Sequence, residues 1–534
     1  MASTFVTVAA LSDLGGAGCR NLLLVMVFVR SDVIMGAAVP ETPSVTIRPS
    51  WRLAAVALVA VLWGLASAWW MPRGPLTNGQ ALCSVGLSVA VGGVAGWLSR
   101  SRWSMLVAPV AFVVALEVAR WRIRGPSVDG FHPSAFGVIA LVAGRGVHGL
   151  LSVLPMVVAA AYGAGVARRG QPARGGRVMR YLRRTVVAVL AAVVLLATVA
   201  VAVPARTAPI LGADGKPLAA SVAELTSIDV DGHRLGMMIR GNDTSAPVLL
   251  FLPGAPGGSE IGAVRRHLAA LEQHFVVVTL DRRGAGMSYA ALDPTSTVTL
   301  DGAVTDTIAV TNYLRSRFRQ EKIYLLGHSG GSLVSVLAVQ RHPELYRAYI
   351  GTGQAVDLPA SDRIFYDDLV SWARATKRTA LERQLVKRGP PPYRDFYSYE
   401  PIMLNENSVY DYDHSPNDEG AGGFAENLNV PEYTALEKVH TLNAIMDTWS
   451  VLYPTMQDVD LRTDARQLAV PVYFVQGAHE MRGLAVPFAQ WYALLQAPAK
   501  HLTVLDTSGH RAMFEQPDKF VEVMTQVLAE TRSG

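Results

Sequence analysis

Apolar positions follow two patterns along the chain, and the change falls between residues 205 and 225. Up to residue 205 they form long blocks almost free of charge; beyond 225 they form short blocks separated by amphipathic stretches. Leu53–Met71, Gln80–Ser99 and Thr185–Ala205 carry no charge, Gly146–Ala167 carries only His148, and Trp103–Ala119 holds one acid, Glu117, three residues before Arg120. A helix needs about 20 apolar residues to cross hydrocarbon, so the pattern predicts a membrane region over 51–205 with about five transmembrane helices. Phe131–Gly144 is shorter and opens on Phe-His-Pro, which predicts an external or re-entrant segment. Residues 21–35 are broken by Arg30 and Asp32; they are too short to span and lack the charged start and long apolar core of a signal peptide. Residues 1–50 are expected to form a cytoplasmic segment, with Met35 as an alternative start.

In the second pattern, Ser227–Val230 and His233–Ile239 flank Asp231-Gly232, a hairpin signal. Short apolar strands follow at Pro247–Leu252, Phe275–Leu280, Ile323–Leu326, Tyr349–Thr352, Val472–Val475 and Leu502–Leu505, with helical stretches between them, among them Glu260–Gln273 and Val304–Arg317. This alternation predicts a mainly parallel sheet covered by helices on both faces, an α/β catalytic domain over 206–534.

Charge sharpens the division. The chain of 534 residues has a net charge of +5, yet its first 206 residues hold nineteen arginines, no lysine and five acids, so the remainder is acidic. The positive charge lies between apolar blocks, which excludes nucleic acid as the partner and points to a lipid bilayer. Seven arginines fall between Arg168 and Arg184, and loops this basic stay cytoplasmic. Arg100 and Arg102 fall on the same side, and the last span then carries the catalytic domain to the extracytoplasmic side. Arg120, Arg122, Arg124 and Arg145 fall on the outer side, against the rule. Both cysteines, Cys19 and Cys83, precede the catalytic domain, so that domain holds no disulfide.

The candidate chemistry centres on Gly327-His328-Ser329-Gly330-Gly331, reached directly from the strand Ile323–Leu326 and followed by helically spaced Leu333–Val339. A serine on a tight strand-to-helix turn needs small neighbours at positions −2 and +2, here Gly327 and Gly331, so that the strained backbone lifts its hydroxyl above the sheet. Partners follow in the order acid, then histidine. Glu480 stands after the strand Val472–Val475, and His510 stands in Ser508-Gly509-His510 after Leu502–Leu505. His510 is placed to take and return the Ser329 proton, and Glu480 to hold its tautomer. Asp460, Asp464 and Asp506 are alternative acids; His328 and His479 read as packing or supporting residues.

These motifs, with Pro253-Gly254-Ala255-Pro256-Gly257-Gly258 and Asp281-Arg282-Arg283-Gly284-Ala285-Gly286-Met287-Ser288, resemble the proline iminopeptidase-like group of serine peptidases in the α/β-hydrolase superfamily. The resemblance covers about residue 225 to the end. It implies an oxyanion hole built from the backbone N–H groups of Ala255 and Gly330, supported by Gly254, Pro256, Gly257 and Asp281. Pro253 stands where that group has histidine and Gly330 where it has tryptophan, so specificity for N-terminal proline does not follow. The membrane region has no counterpart in the resemblance.

A lid is expected over about 356–457. Residues 395–437 hold ten acids, no lysine or arginine and several tyrosines, which suits either a solvated face or a site for a substrate's amino group. Asp411-Tyr412-Asp413-His414 has metal-ligand residue types, but no third group is placed beside them, so no metal and no cofactor are expected. The function expected is a membrane-anchored serine hydrolase, most of all an aminopeptidase acting on short peptides through an acyl-enzyme. The alternatives are an esterase, lipase or acyltransferase acting on lipid or envelope esters, and a non-catalytic ligand sensor. Ser329 excludes the aspartate-nucleophile chemistries of the fold.

Overall fold

The structure, a computed structural model, describes residues 49–169, 176–410 and 421–531. Met35 and Asp411-Tyr412-Asp413-His414 lie outside the described residues. Residues 52–534 form one unit that includes both the apolar helices and the sheet.

The apolar helices are α1 (Pro49–Trp70), α2 (Asn78–Ser99), α3 (Ser104–Ala119), α4 (Ala135–Ala140), α5 (Val147–Val166) and α6 (Arg177–Ala202). Among the described residues, four stretches are long and apolar enough to cross a membrane: Trp51–Trp70, Asn78–Ser99, Ala135–Val166 and Arg177–Ala202. α3 is shorter, 16 residues. The reading of Phe131–Gly144 as an external or re-entrant segment, separate from the helix after it, is corrected here. α4 continues through a π-helical turn at Leu141–Gly146 into α5, one helical stretch of 32 residues. Phe-His-Pro precedes an N-cap rather than a loop: Ser134 Oγ accepts the Gly137 N–H and Glu400 Oε1 accepts that of Ala135, so the helix starts at once. A side chain at Gly144 would overlap the Ser127 carbonyl, so glycine permits the close approach there.

α2 and α5 meet backbone to backbone, because side chains at Gly92, Gly96 and Gly163 would run into the carbonyls of Met156, Ala160 and Gly93. Ser84 and Ser152 exchange a hydrogen bond at 2.9 Å, and Trp63 Nε1 donates to Ser88 Oγ at 3.0 Å. The loops α1–α2 and α3–α4 lie at the same end of the bundle. Arg73 Nη2 donates to the Arg124 carbonyl at 2.6 Å, and Arg120 Nη1 to that of Pro72 at 2.9 Å. Arg120 and Arg145 both bind Glu117, and Arg73 binds Asp293.

The catalytic domain carries strands β1 (Val222–Val230), β2 (His233–Gly241), β3 (Val248–Leu252), β4 (Val276–Leu280), β5 (Ile323–His328), β6 (Tyr346–Thr352), β7 (Val472–Gly477) and β8 (Lys500–Leu505). They form one sheet in the order β1-β2-β4-β3-β5-β6-β7-β8, parallel from β4 to β8 and antiparallel at β1-β2-β4. This is an α/β-hydrolase fold. β3, β4, β5 and β7 are buried along their whole length, as continuous apolar runs in a doubly covered parallel sheet require. Alternate residues feed two cores: Leu250, Val278 and Leu325 face one, and Leu249, Phe251 and Tyr324 the other.

Helices in chain order are α7 (Ile261–His267), α8 (Leu300–Phe318), α9 (Gly330–Arg341), α10 (Leu358–Ala375), α11 (Thr379–Arg388), α12 (Glu400–Val409), α13 (Phe424–Leu428), α14 (Ala435–Leu452), α15 (Leu461–Asp464), α16 (Arg482–Leu494), α17 (Ala512–Glu515) and α18 (Pro517–Thr531). α10 to α14 fall between β6 and β7, where the lid was expected.

Candidate active site

Ser329 follows β5 directly and precedes α9, with φ 49° and ψ −126°. A non-glycine residue rarely adopts positive φ, and such strain persists only where the surroundings hold it. They do so here: the Ser329 N–H donates to the Thr352 carbonyl at 3.0 Å. A methyl group at Gly327 would lie 2.5 Å from Ser335 Oγ, and one at Gly331 would collide with the Leu252 and Pro253 carbonyls. The spacing of the two glycines is thus fixed by strand β3 and helix α9 closing on the turn.

The acid and the histidine come from the ends of β7 and β8. His510 Nδ1 lies 2.9 Å from Glu480 Oε1, which also accepts the Met481 N–H at 2.9 Å. Both side chains are buried. The imidazole rests against Gly353, next to the Thr352 carbonyl that holds Ser329. The alternative acids are engaged elsewhere. Asp460 caps α15 and binds Arg462, Asp464 accepts the Asp460 N–H, and Asp506 binds Lys519.

Gly330 and Ala255 face each other across the elbow, since a methyl group at Gly330 would come 3.6 Å from the Ala255 nitrogen and 3.9 Å from Pro256 Cδ. Two supports of this loop, Glu260 and Arg282, escaped the sequence reading. Glu260 Oε2 accepts the Gly254 N–H at 3.0 Å, while its Oε1 lies 2.7 Å from His328 Nδ1. Burial pushes the Glu260 carboxyl up, but His328 and the Gly254 N–H outweigh it and hold it below the usual range. Arg282 is buried and donates through Nη2 to the Gly254 carbonyl and, at 2.9 Å, to that of Ala255; burial lowers its pKa to about 10, so it stays charged at neutral pH. His328 is therefore a strut for the loop, with its ring 4.9 Å from that of His510. Nothing in local spacing marks Glu260 as a partner of His328, 68 residues away.

Asp281 sits at the root of the site. It accepts from Ser259 Oγ at 2.6 Å, from Tyr433 of the lid at 2.7 Å and from the Met287 N–H at 2.9 Å. Its complete burial raises its pKa to about 6 despite those donors. Gly257 has φ 76° and packs on α14 so tightly that a side chain would overlap the Ala444 carbonyl. Thr448, one turn further, donates to the Gly284 carbonyl at 2.7 Å.

The acidic lid resolves into structural contacts. Asp395 caps the turn at Phe396–Ser398, Glu400 caps α4, and Glu426 pairs with His267 and Arg266. Glu432 pairs with Arg265, and Glu437 completes a capping box with Thr434. Asp411, Asp413, Asp418 and Glu419 lie outside the described residues. Among the described residues no cluster of three or more metal-ligand side chains is found.

Comparison with known proteins bears on the same part of the chain. The family model described as serine aminopeptidase, S33, matches residues 248–517. The chain belongs to the serine aminopeptidase S33 family. It is a serine hydrolase of the α/β-hydrolase fold. Among its relatives, the "Probable aminopeptidase YbaC" of Bacillus subtilis is 29% identical over 307 residues, covering 57% of this chain and 96% of the relative. A proline iminopeptidase of Saccharolobus solfataricus is 24% identical over 300 residues, covering 53% and 86%. A solved proline iminopeptidase from Mycobacterium smegmatis aligns at 18% identity with a TM-score of 0.43, covering 58% of this chain and 98% of that one. Family membership is thus carried by the part that begins at β3, and the apolar helices precede it.

Proposed function

We propose that this S33 family member is a membrane-anchored aminopeptidase that trims short peptides through an acyl-enzyme. The observation that carries the reading is the Glu480–His510 contact at 2.9 Å beside the strained Ser329 turn. Ser329 Oγ attacks the scissile carbonyl, and its proton passes to His510 Nε2. The oxyanion is held by the N–H groups of Ala255 and Gly330, and His510 then protonates the leaving amine. Water activated by His510 releases the acyl group and restores the serine. Glu480 fixes Nδ1–H and stabilises the imidazolium. No metal or cofactor is required by these steps.

The substrate class is read by assaying the full chain in detergent, with Ser329→Ala as the blank, against aminoacyl-arylamides and neutral acyl nitrophenyl esters. Amide cleavage that requires a free α-amino group is expected. Ester cleavage alone, rising with acyl length, would replace the peptidase reading with an envelope esterase or acyltransferase.

The same reading places the catalytic domain outside the cell membrane. The loops α1–α2 and α3–α4 meet the catalytic domain, whereas Arg100, Arg102, Arg168 and Arg169 cluster at the opposite ends of the helices, and basic ends stay cytoplasmic. Protease added to intact spheroplasts is expected to remove the catalytic domain. Cleavage only after lysis would reverse the orientation.

A further inference from the structure

We propose that the membrane region positions the lid, with Arg73 and Asp447 as positioning residues that act through α14 on the oxyanion loop. The proposal rests on the reading of Ser329 as nucleophile.

Asp447 projects from α14 and is completely buried. Its Oδ1 accepts the Ser127 N–H at 2.9 Å; its Oδ2 accepts the Ser127 hydroxyl at 2.5 Å and the Tyr289 hydroxyl at 2.6 Å. Arg73, whose side chain is 1% exposed, brings Nη1 to 3.6 Å from the same Oδ2. Its Nε and Nη2 grip Asp293 of the catalytic domain at 2.8 and 3.2 Å. Burial disfavours the guanidinium charge, but Asp447 and Asp293 outweigh it and raise the Arg73 pKa above its ordinary value. Gly125, with φ 141°, passes so close that a methyl group there would sit 2.7 Å from Arg73 Nη1 and 2.8 Å from Asp447 Oδ1. Two loops of the helical bundle therefore close on one carboxylate of the lid.

The contact extends along the same helix. His440, two turns earlier on the same face, stacks on Tyr289 at 4.6 Å and places Nε2 3.1 Å from the Pro75 carbonyl. Burial holds its pKa down to about 4, so the imidazole is neutral there and its Nε2–H can donate. Glu400 caps α4, and His132 stacks on Tyr397 at 4.0 Å. Ala140 and Phe136 pack with Phe396, Met446 and Trp449.

An anchor needs none of this. α6, which joins the bundle to the catalytic domain, buries one side chain, Val201, among the described residues. What the other helices add is a fixed seat for α14, and the neighbouring face of α14 bears on the oxyanion loop through Ala444 at Gly257 and on the segment after β4 through Thr448 at Gly284. Removing one member of a buried ion pair leaves the other charge uncompensated, and the structure relaxes to rehydrate it. Here relaxation of Asp447 shifts the helix on which the Ala255 loop rests.

The test uses the full chain in detergent and a fluorophosphonate, whose labelling stoichiometry counts folded sites and whose second-order rate reports oxyanion stabilisation. Arg73→Ala is expected to label fully but 10- to 100-fold more slowly, and Arg73→Lys, which keeps the charge, to recover most of the rate. A wild-type rate in Arg73→Ala, or a loss explained wholly by fewer labelled sites in a protein that still accumulates, would overturn the proposal. If Arg73→Ala does not accumulate, Ser127→Ala gives the answer: it removes one hydroxyl from Asp447 and is expected to slow labelling about threefold or more at full stoichiometry, and an unchanged rate refutes the clamp. Ser329→Ala separates the two readings. Labelling that survives it defeats the nucleophile assignment, whereas labelling abolished by it alongside a normal Arg73→Ala rate defeats only the positioning role.

Discussion

Ser329→Ala is expected to leave the protein folded and to lower kcat by about 10^4-fold or more, with His510→Ala close behind it. The size follows from what each side chain does. Without the hydroxyl no acyl-enzyme forms; without the imidazole the hydroxyl keeps its proton and the leaving amine receives none. The two changes act on one step, so the double variant should be little worse than either single variant. Glu480→Gln is expected to leave the packing nearly intact while losing the acceptor that fixes Nδ1–H, and to fall between the wild type and the serine variant. Steady-state turnover normalised to folded protein measures all four. Near-normal turnover in Ser329→Ala would remove the serine mechanism, and near-normal turnover in Glu480→Gln would remove only the acid's assignment.

The second large effect is on folding. Gly331→Ala puts a methyl group onto the carbonyl oxygens of Leu252 and Pro253 at the end of β3. Strand β3 is central, paired with β4 on one side and β5 on the other, so it cannot step away without breaking a ladder. Overpacking of this kind costs about 3 kcal/mol, a fall of roughly 5–10 °C in the unfolding midpoint of a domain this large. Gly330→Ala is the internal control. Its methyl group meets nothing nearer than 3.6 Å, and a stability close to wild type is expected. Equal midpoints for Gly331→Ala and Gly330→Ala, followed by calorimetry or by tryptophan fluorescence, would show that the turn is not confined as described.

What could be read in advance has a local physical cause. The largely apolar strands β3, β4 and β5 announce themselves because both faces are covered, and Asp231-Gly232 marks the first hairpin because both residues take positive φ, 51° and 78°. The turn at Ser329 is legible because its glycines serve clashes within a few residues or with the adjacent strand. Glu260, Arg282 and the lid acids were opaque for the opposite reason. Their roles depend on partners brought together by the fold, such as Glu260 with His328 or Glu432 with Arg265, and a carboxylate's spacing in the chain does not say whether a cation awaits it. Phe131–Gly144 misled because a Pro-Ser start looks the same before a loop and before an N-cap. The acceptor that helps start the helix there, Glu400, is 265 residues further on.

That same separation has a bearing on how the protein is made. Arg73, Pro75 and Ser127 leave the ribosome more than 300 residues ahead of His440 and Asp447. The receiving surface is therefore synthesised before the lid exists. The residues of α14 that pack on these loops are made later, and His510 later still. A chain whose early helices fail to pack would finish translation with Asp447 and the apolar flank of α14 unclaimed, an unfinished molecule rather than a free hydrolase.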